Sequence, residues 1–411
     1  MPYTQSMIHL TAEEQAWLAG DAGPATRRAM EIVVALAQIY GAERLIPVET
    51  VQISGVSYRN IGAAGLNFLR RWADEGARVR VPTTLNPTAM DLADWRAQGF
   101  DADFARQQHA VVETFARMGV RAAAPTCAPY LIGNCPSPGA AIAWAESSAV
   151  SYANSVLGAR TNREGGPGAI AAAITGRTGA YGLHLDANRR AALRVEVRAE
   201  PHAISDYSAL GALVGQAAGK RIPYFEGLPL ARGEALWEEK LKALGAAMAA
   251  TGAVALYHVT GVTPEAADVR APDAETLVVA DLAPGYALLN DPVDAIDLVW
   301  IGCPHASLAE IARVAAHVRG KRLRAPLWIT CARPIKESAI AQGLAAEIEA
   351  AGGRLIADAC MAIAPVRDLG FRSVMTSSAK GAYYLRNLAG VQTRFGTVAA
   401  CVEMAGIVRI R

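Results

Sequence analysis

Trp144–Asp186 reads WAESSAVSYANSVLGARTNREGGPGAIAAAITGRTGAYGLHLD, and the rest of the chain is arranged around it. Its first half predicts a helix with Ala145, Ala149, Ala153 and Val156 on one face, small enough to let a second backbone come close. The pattern stops near Leu157–Gly158. Arg160, Thr161, Asn162, Arg163 and Glu164 then lead straight into Gly165-Gly166-Pro167-Gly168, and a second helix is expected from about Ala169 to Ile174. Glycines feeding a helix N-terminus leave several N–H groups pointing outward, where the helix dipole adds partial positive charge. With two arginines alongside, the turn can hold a carboxylate or phosphate. The plainer reading is a tight corner between helices whose arginines form surface ion pairs.

Beyond Leu277 the pattern becomes regular. Leu298–Ile301, Pro326–Ile329, Leu355–Ala357 and Ser373–Met375 read as strands, and helix-length stretches separate the first three. That is the β–α alternation of a parallel sheet, which presents ligands at its carboxyl ends. Those ends carry Cys303-Pro304-His305, Thr330-Cys331, Asp358-Ala359-Cys360 and Thr376-Ser377-Ser378-Ala379-Lys380. Between the signature and this region, Leu193, Val195 and Val197 alternate as a strand. A helix is expected over Asp206–Gly219, a strand-like Ile222–Phe225, a helical Ala231–Gly252 and a strand at Ala253–Tyr257.

Upstream, Thr11 with Glu14 makes a capping box, and Ala22–Tyr40 has helical spacing. Glu43–Ile53 reads as a strand followed by Ser54-Gly55-Val56-Ser57, then by a helix with Leu66, Leu69 and Trp72. Val79 and Val81 open another strand that runs into Pro82-Thr83-Thr84-Leu85-Asn86-Pro87. A helix around Asp103–Met118 leads to Val120–Ala124 and then to Pro125-Thr126-Cys127-Ala128-Pro129. Prolines on both sides hold Cys127 in an extended loop. Three α/β parts are expected, at 1–130, 131–285 and 286–411.

With 52% hydrophobic and 19% charged residues the 411-residue chain is globular, and its net charge of +2 carries no basic block for nucleic acid. Neither an export leader nor a membrane span is legible, so a cytoplasmic setting is expected. Six cysteines are too sparse for a disulfide scaffold. Any one of them is ordinarily a small buried hydrophobe. Cys303, Cys331 and Cys360 at successive strand ends, with Cys127 in its loop, nevertheless point to a metal. No close CxxC pair is present, which argues against a zinc finger. Soft thiolates select iron–sulfur, copper or zinc, and spacing leaves open which three converge. A dinucleotide-binding GxGxxG is lacking, since Gly62-Ala63-Ala64-Gly65 is a poor match, and no GxSxG of a serine hydrolase occurs.

ESSAVSYANSVLGARTNREGGP with TGRTGAYGLHLD behind it resembles the signature region of the aconitase X family. SGVSY at Ser54, VPTTLNP at Val81, CAPYL at Cys127, IGCPH at Ile301, DAC at Asp358 and TSSAK at Thr376 are also similar to that family. The resemblance implies an aconitase-like fold of several α/β/α layers with parallel-type sheets around an iron–sulfur cluster, [2Fe-2S] or [4Fe-4S]. Its ligands fall on Cys127, Cys303 and Cys360. It also implies that the swivel domain is absent from this chain and comes from a separate small subunit, whose serine is the base. The implied activity is dehydration of cis-3-hydroxy-L-proline to Δ1-pyrroline-2-carboxylate. Mevalonate 5-phosphate dehydration is the alternative, and a cluster-binding scaffold without chemistry is a reading of another class.

On that basis Arg163 and the Gly165–Gly168 turn are expected to grip the substrate carboxylate. His184 and His305 assist the leaving hydroxide, and Lys380 contacts substrate; each is equally readable as a structural hydrogen-bonding residue. Ser54, Ser57, Asn86, Ser147, Ser148, Asn162, Gly165, Gly166, Ser377 and Ser378 complete the expected substrate-binding set.

Overall fold

The computed structural model describes residues 8–406; residues 1–7, where a leader was sought, lie outside them. Among the described residues the strands form three all-parallel sheets and one two-stranded antiparallel ribbon. The first sheet has the order Thr83–Leu85, Val51–Ile53, Ala143–Trp144. Single bridges extend it on both sides, Thr84 with Arg121 and Trp144 with Arg163. The signature turn therefore runs beside the sheet rather than apart from it.

Local rules account for most of this region. Thr11 and Glu14 close their capping box at the helix Ala12–Ala19. Leu66, Leu69 and Trp72 turn inward from the helix Tyr58–Asp74 and meet Met30, Val33, Phe115 and Ile170 in one core. The strand expected over Glu43–Ile53 is two pieces. Leu45–Pro47 pairs antiparallel with Arg177–Gly179, and only Val51–Ile53 enters the parallel sheet. Pro47 has no N–H to continue a ladder and closes the first piece. The strand expected at Val79 lies beyond Pro82, at Thr83–Leu85.

The signature's first helix, Ser147–Tyr152, passes through a π-turn at Ala153–Leu157 and stops at Gly158, whose φ is 73°. Its second helix spans Gly166–Thr175, earlier than expected, because Pro167 in the first turn has no N–H to lose. The expected close approach occurs against the helix Trp237–Thr251. A Cβ on Gly245 would lie 2.8 Å from Ser151 Oγ.

The second sheet has the order His258–Val259, Pro223–Glu226, Leu193–Val197, Thr276–Val279. The helices Ile204–Ala218 and Trp237–Thr251 cover it, joined in a core of Tyr207, Leu210, Leu244 and Met248. The third sheet runs Gly353–Ala357, Leu327–Cys331, Leu298–Ile301, Ser373–Thr376, Gln392–Phe395. All four strands expected from its alternation are present. No helix of the described residues is long and apolar enough to cross a membrane. The first sheet reaches past residue 130, since Ala143 and Trp144 pair with Val51 and Gln52.

Candidate functional site

The carboxyl ends of the first and third sheets face each other. Thr88 stitches them: its N–H donates to Asp358 O at 2.8 Å, and its carbonyl accepts from the Cys360 N–H at 2.9 Å. Along the first rim, the loops after successive strands bring Cys127, Asn86, Ser54, Glu146 and Arg163. Along the third come Cys360, Cys303 and the Ser377–Lys380 segment.

Cys127, Cys303 and Cys360 converge. Each thiol is pushed up from its usual range, first by burial, while the Lys380 ammonium pulls each back down. Cys127 rises to about 12. Cys303 feels the charges of both Cys360 and Cys127. Gly302 makes the turn into Cys303: its φ is 96°, and a Cβ there would lie 2.1 Å from Thr330 O. Cys331 does not join them. It points to the opposite face of the third sheet, into the core with Ile301 and Ile311, and the charges acting on it are Lys336, Asp358, Asp91 and Arg333. Cys401 is equally buried, whereas Cys135, expected to be a packing thiol, is exposed.

Three soft sulfur donors on three loops beside one cation fit an iron–sulfur cluster. Among the described residues no three ligating side chains close around a single metal-ion point.

Glu146 is the residue that the sequence reading missed. It follows the strand Ala143–Trp144 and caps the helix Ser147–Tyr152, accepting from Ser148 N at 3.3 Å. Its carboxylate pairs with Lys380 across the cleft and accepts from Asn86 Nδ2 at 3.1 Å and Ser148 Oγ at 3.1 Å. Burial raises its pKa, yet Lys380 and these donors outweigh burial and hold it at about 2. Lys380 in turn is raised: burial opposes its charge and Glu146 overcomes that. It also donates to Ser148 Oγ at 2.8 Å. Ser147 Oγ reaches Glu146 at 3.3 Å, and Ser378 caps the Lys380 helix through Gly381 N at 3.0 Å. Lys380, Asn86, Ser147 and Ser148 are therefore assembled around one carboxylate, and Ser378 caps the helix that carries Lys380.

His305 is buried with both ring nitrogens engaged. Nε2–H donates to Ala359 O at 2.9 Å, which leaves Nδ1 to accept from Thr126 Oγ1 at 2.9 Å. Its N–H donates to Cys127 Sγ at 3.2 Å. That geometry ties three ligand loops together and leaves no ring atom free for hydroxide. Gln52 and Thr126, also unforeseen, continue the scaffold: Gln52 Nε2 donates to Thr126 O at 2.9 Å.

The other expected residues are not hydrogen-bonded into that cluster. His184 sits among Arg189 and Arg160; burial first, then these cations, lower its pKa to about 4. No hydrogen bond joins it to the cysteines or to Lys380. Asn162 holds the following turn, donating to Tyr181 O at 3.0 Å and accepting from Leu183 N at 2.9 Å. Arg160 is spent on Asp186 and His184 O. Arg163 is exposed beside exposed Gly165, and among the described residues its side chain has no ion pair. Gly166 packs on Ser54, whose carbonyl lies 3.3 Å from where a Cβ would be. Ser57 Oγ is buried without a partner, and Ser377 faces a separate cavity with Arg313 and His317.

Family models described as aconitase X first, second and third domain match residues 7–187, 191–282 and 296–407. The chain belongs to the aconitase X family. The crystal structure of Thermococcus kodakaraensis aconitase X in its holo-form superposes with a TM-score of 0.89 at 45% identity, covering 98% of this chain and 100% of that one. The phosphomevalonate dehydratase large subunit of Methanothermobacter thermautotrophicus is 49% identical over 93% of this chain and 95% of its own. Relatives of that same name are 36–49% identical over 95–100% of their lengths. The cis-3-hydroxy-L-proline dehydratase of Pseudomonas aeruginosa is 41% identical, and the match covers 98% of this chain but 70% of that one. The expectation of hydroxyproline as substrate is thereby corrected. The motifs pointed to the family and carried no observation that chose between its two activities. Dehydratase chemistry itself stands, since these relatives are all named dehydratases.

Proposed function

We propose that this chain is the large subunit of a phosphomevalonate dehydratase, with an iron–sulfur cluster on Cys127, Cys303 and Cys360 and a small partner subunit. The observation that carries the reading is the end-to-end match to relatives named as that enzyme's large subunit. The substrate is a 3-hydroxy acid, so dehydration removes the β-hydroxyl and a proton α to the carboxylate. A bound cluster supplies a Lewis acid for the departing hydroxyl.

The chain's own residues bind and orient. Arg163 and the N–H groups at Gly165 and Gly166 offer positive charge at the cleft rim for an anionic group of the substrate. Lys380, neutralised by Glu146 and hydrogen-bonded to Ser148, is a fixed donor beside the three sulfurs rather than a proton acceptor. Asn86 keeps its buried Oδ1 without a partner and so retains an acceptor for the substrate. None of these is a base with an open lone pair suited to the α-proton, which fits a base supplied by the small subunit.

The test is anaerobic reconstitution of the chain with iron and sulfide, with and without a phosphomevalonate dehydratase small subunit, followed by an assay on phosphomevalonate. Loss of water from phosphomevalonate only in the two-subunit sample is expected. Turnover of cis-3-hydroxy-L-proline in its place overturns the assignment.

A further inference from the structure

We propose that Lys242 is a positioning residue that latches the Cys303–Ser307 loop to the second sheet's helix and thereby holds the three-cysteine site in shape; what the latch is for rests on the functional reading above. Lys242 lies on the helix Trp237–Thr251, outside both rims that carry the candidate site. It is only 4% exposed, and lysine is rarely so buried unless paired. Its ammonium donates to His305 O at 3.1 Å and pairs with Glu310.

Glu310 is committed to the same loop from the other side, since its Oε2 accepts from Ser307 N at 2.8 Å. One turn before Lys242, Glu239 accepts from Ser307 Oγ at 2.8 Å. Two residues of one helix thus grip both His305 and Ser307. The gripped residue, His305, is the one that donates to Cys127 Sγ, bonds Thr126 next to Cys127, and bonds Ala359 next to Cys360. Pulling on His305 moves all three sulfur-bearing loops at once. A buried ion pair adds little net stability over an apolar pair of the same volume, but it fixes one arrangement where its geometry is specific. Here the arrangement fixed is that of the sulfurs.

The experiment labels each cysteine of the full chain, without iron, with iodoacetamide and reads the rates by mass spectrometry. In Lys242→Met, Cys127 is expected to label roughly tenfold faster while Cys331 and Cys401 stay protected, and the iron-loaded variant to lose iron to a chelator roughly 10–100-fold faster. Unchanged labelling of Cys127 overturns the latch. Should Cys331 and Cys401 label as well, the variant has unfolded, and Glu310→Gln decides: it keeps an acceptor for Ser307 N, and unchanged Cys127 labelling there overturns the latch. If the wild-type chain takes up no iron and sulfide, the functional reading fails, while the labelling arm still decides the latch.

Discussion

Lys380 and Glu146 form a largely buried ion pair that joins the third sheet's rim to the first's. Its two members sit 234 residues apart in sequence. Removing either partner leaves the other charge buried and uncompensated, a loss of about 3–5 kcal/mol. Glu146→Gln and Lys380→Met should each lower the unfolding free energy by that much, read as a lower denaturant midpoint at constant slope. The double variant should recover most of the loss, because neither remaining side chain carries a charge that can be stranded. Additive losses in the double variant would show that the pair is not coupled.

The choice of cysteines is testable against the one that spacing offered equally. Cys303→Ser should lose most iron and sulfide after anaerobic reconstitution. Cys331→Ser should bind both at wild-type stoichiometry, because Cys331 faces the core on the sheet's other side. Iron and sulfide analysis with the visible absorption spectrum reads both, and a Cys331→Ser protein without iron would refute the ligand set.

The alternation of apolar runs made the third sheet legible, because a parallel sheet buried on both faces leaves continuous Leu, Val, Trp and Ile in its strands. Four cysteines at strand ends or in an extended loop were equally legible, but which face each points to depends on pleat and on what packs there. One residue of register separates the core-facing Cys331 from the site. Glu146 was hidden for a different reason. Its role comes from Lys380 and Asn86, which are distant in sequence, and locally it reads as a helix cap. The signal was a lone carboxylate in the otherwise uncharged IAWAESSAV. His184 is the opposite case: adjacency to the signature is legible in the sequence, while the two cations beside its buried ring, Arg189 and Arg160, are not.

Arg163 separates binding from folding. It is exposed and makes no ion pair among the described residues, so Arg163→Ala should change stability by no more than about 0.5 kcal/mol. A charged contact to an anionic substrate is worth about 1.5–3 kcal/mol, so kcat/KM should fall roughly 10- to 100-fold. Arg163→Lys should restore part of it. Unchanged steady-state kinetics in Arg163→Ala would remove the Gly-rich turn from substrate binding.

Glu164, next to Arg163, behaves unlike Glu146. It is buried with one hydrogen bond, from Thr178 Oγ1 at 3.3 Å, and burial outweighs that bond to raise its pKa from 4.5 to about 7. The folded state therefore holds a proton that the unfolded chain has already released between those two values. Stability must fall as pH rises through this window, and above it the ionised carboxyl costs about 3 kcal/mol. Glu164→Gln keeps an acceptor for Thr178 and never ionises. It should unfold at higher denaturant than the wild type at pH 8 and at a similar midpoint at pH 4.5. A wild-type stability that rises or stays level from pH 5 to pH 7, relative to Glu164→Gln, would show that the folded protein stabilises the Glu164 carboxylate instead.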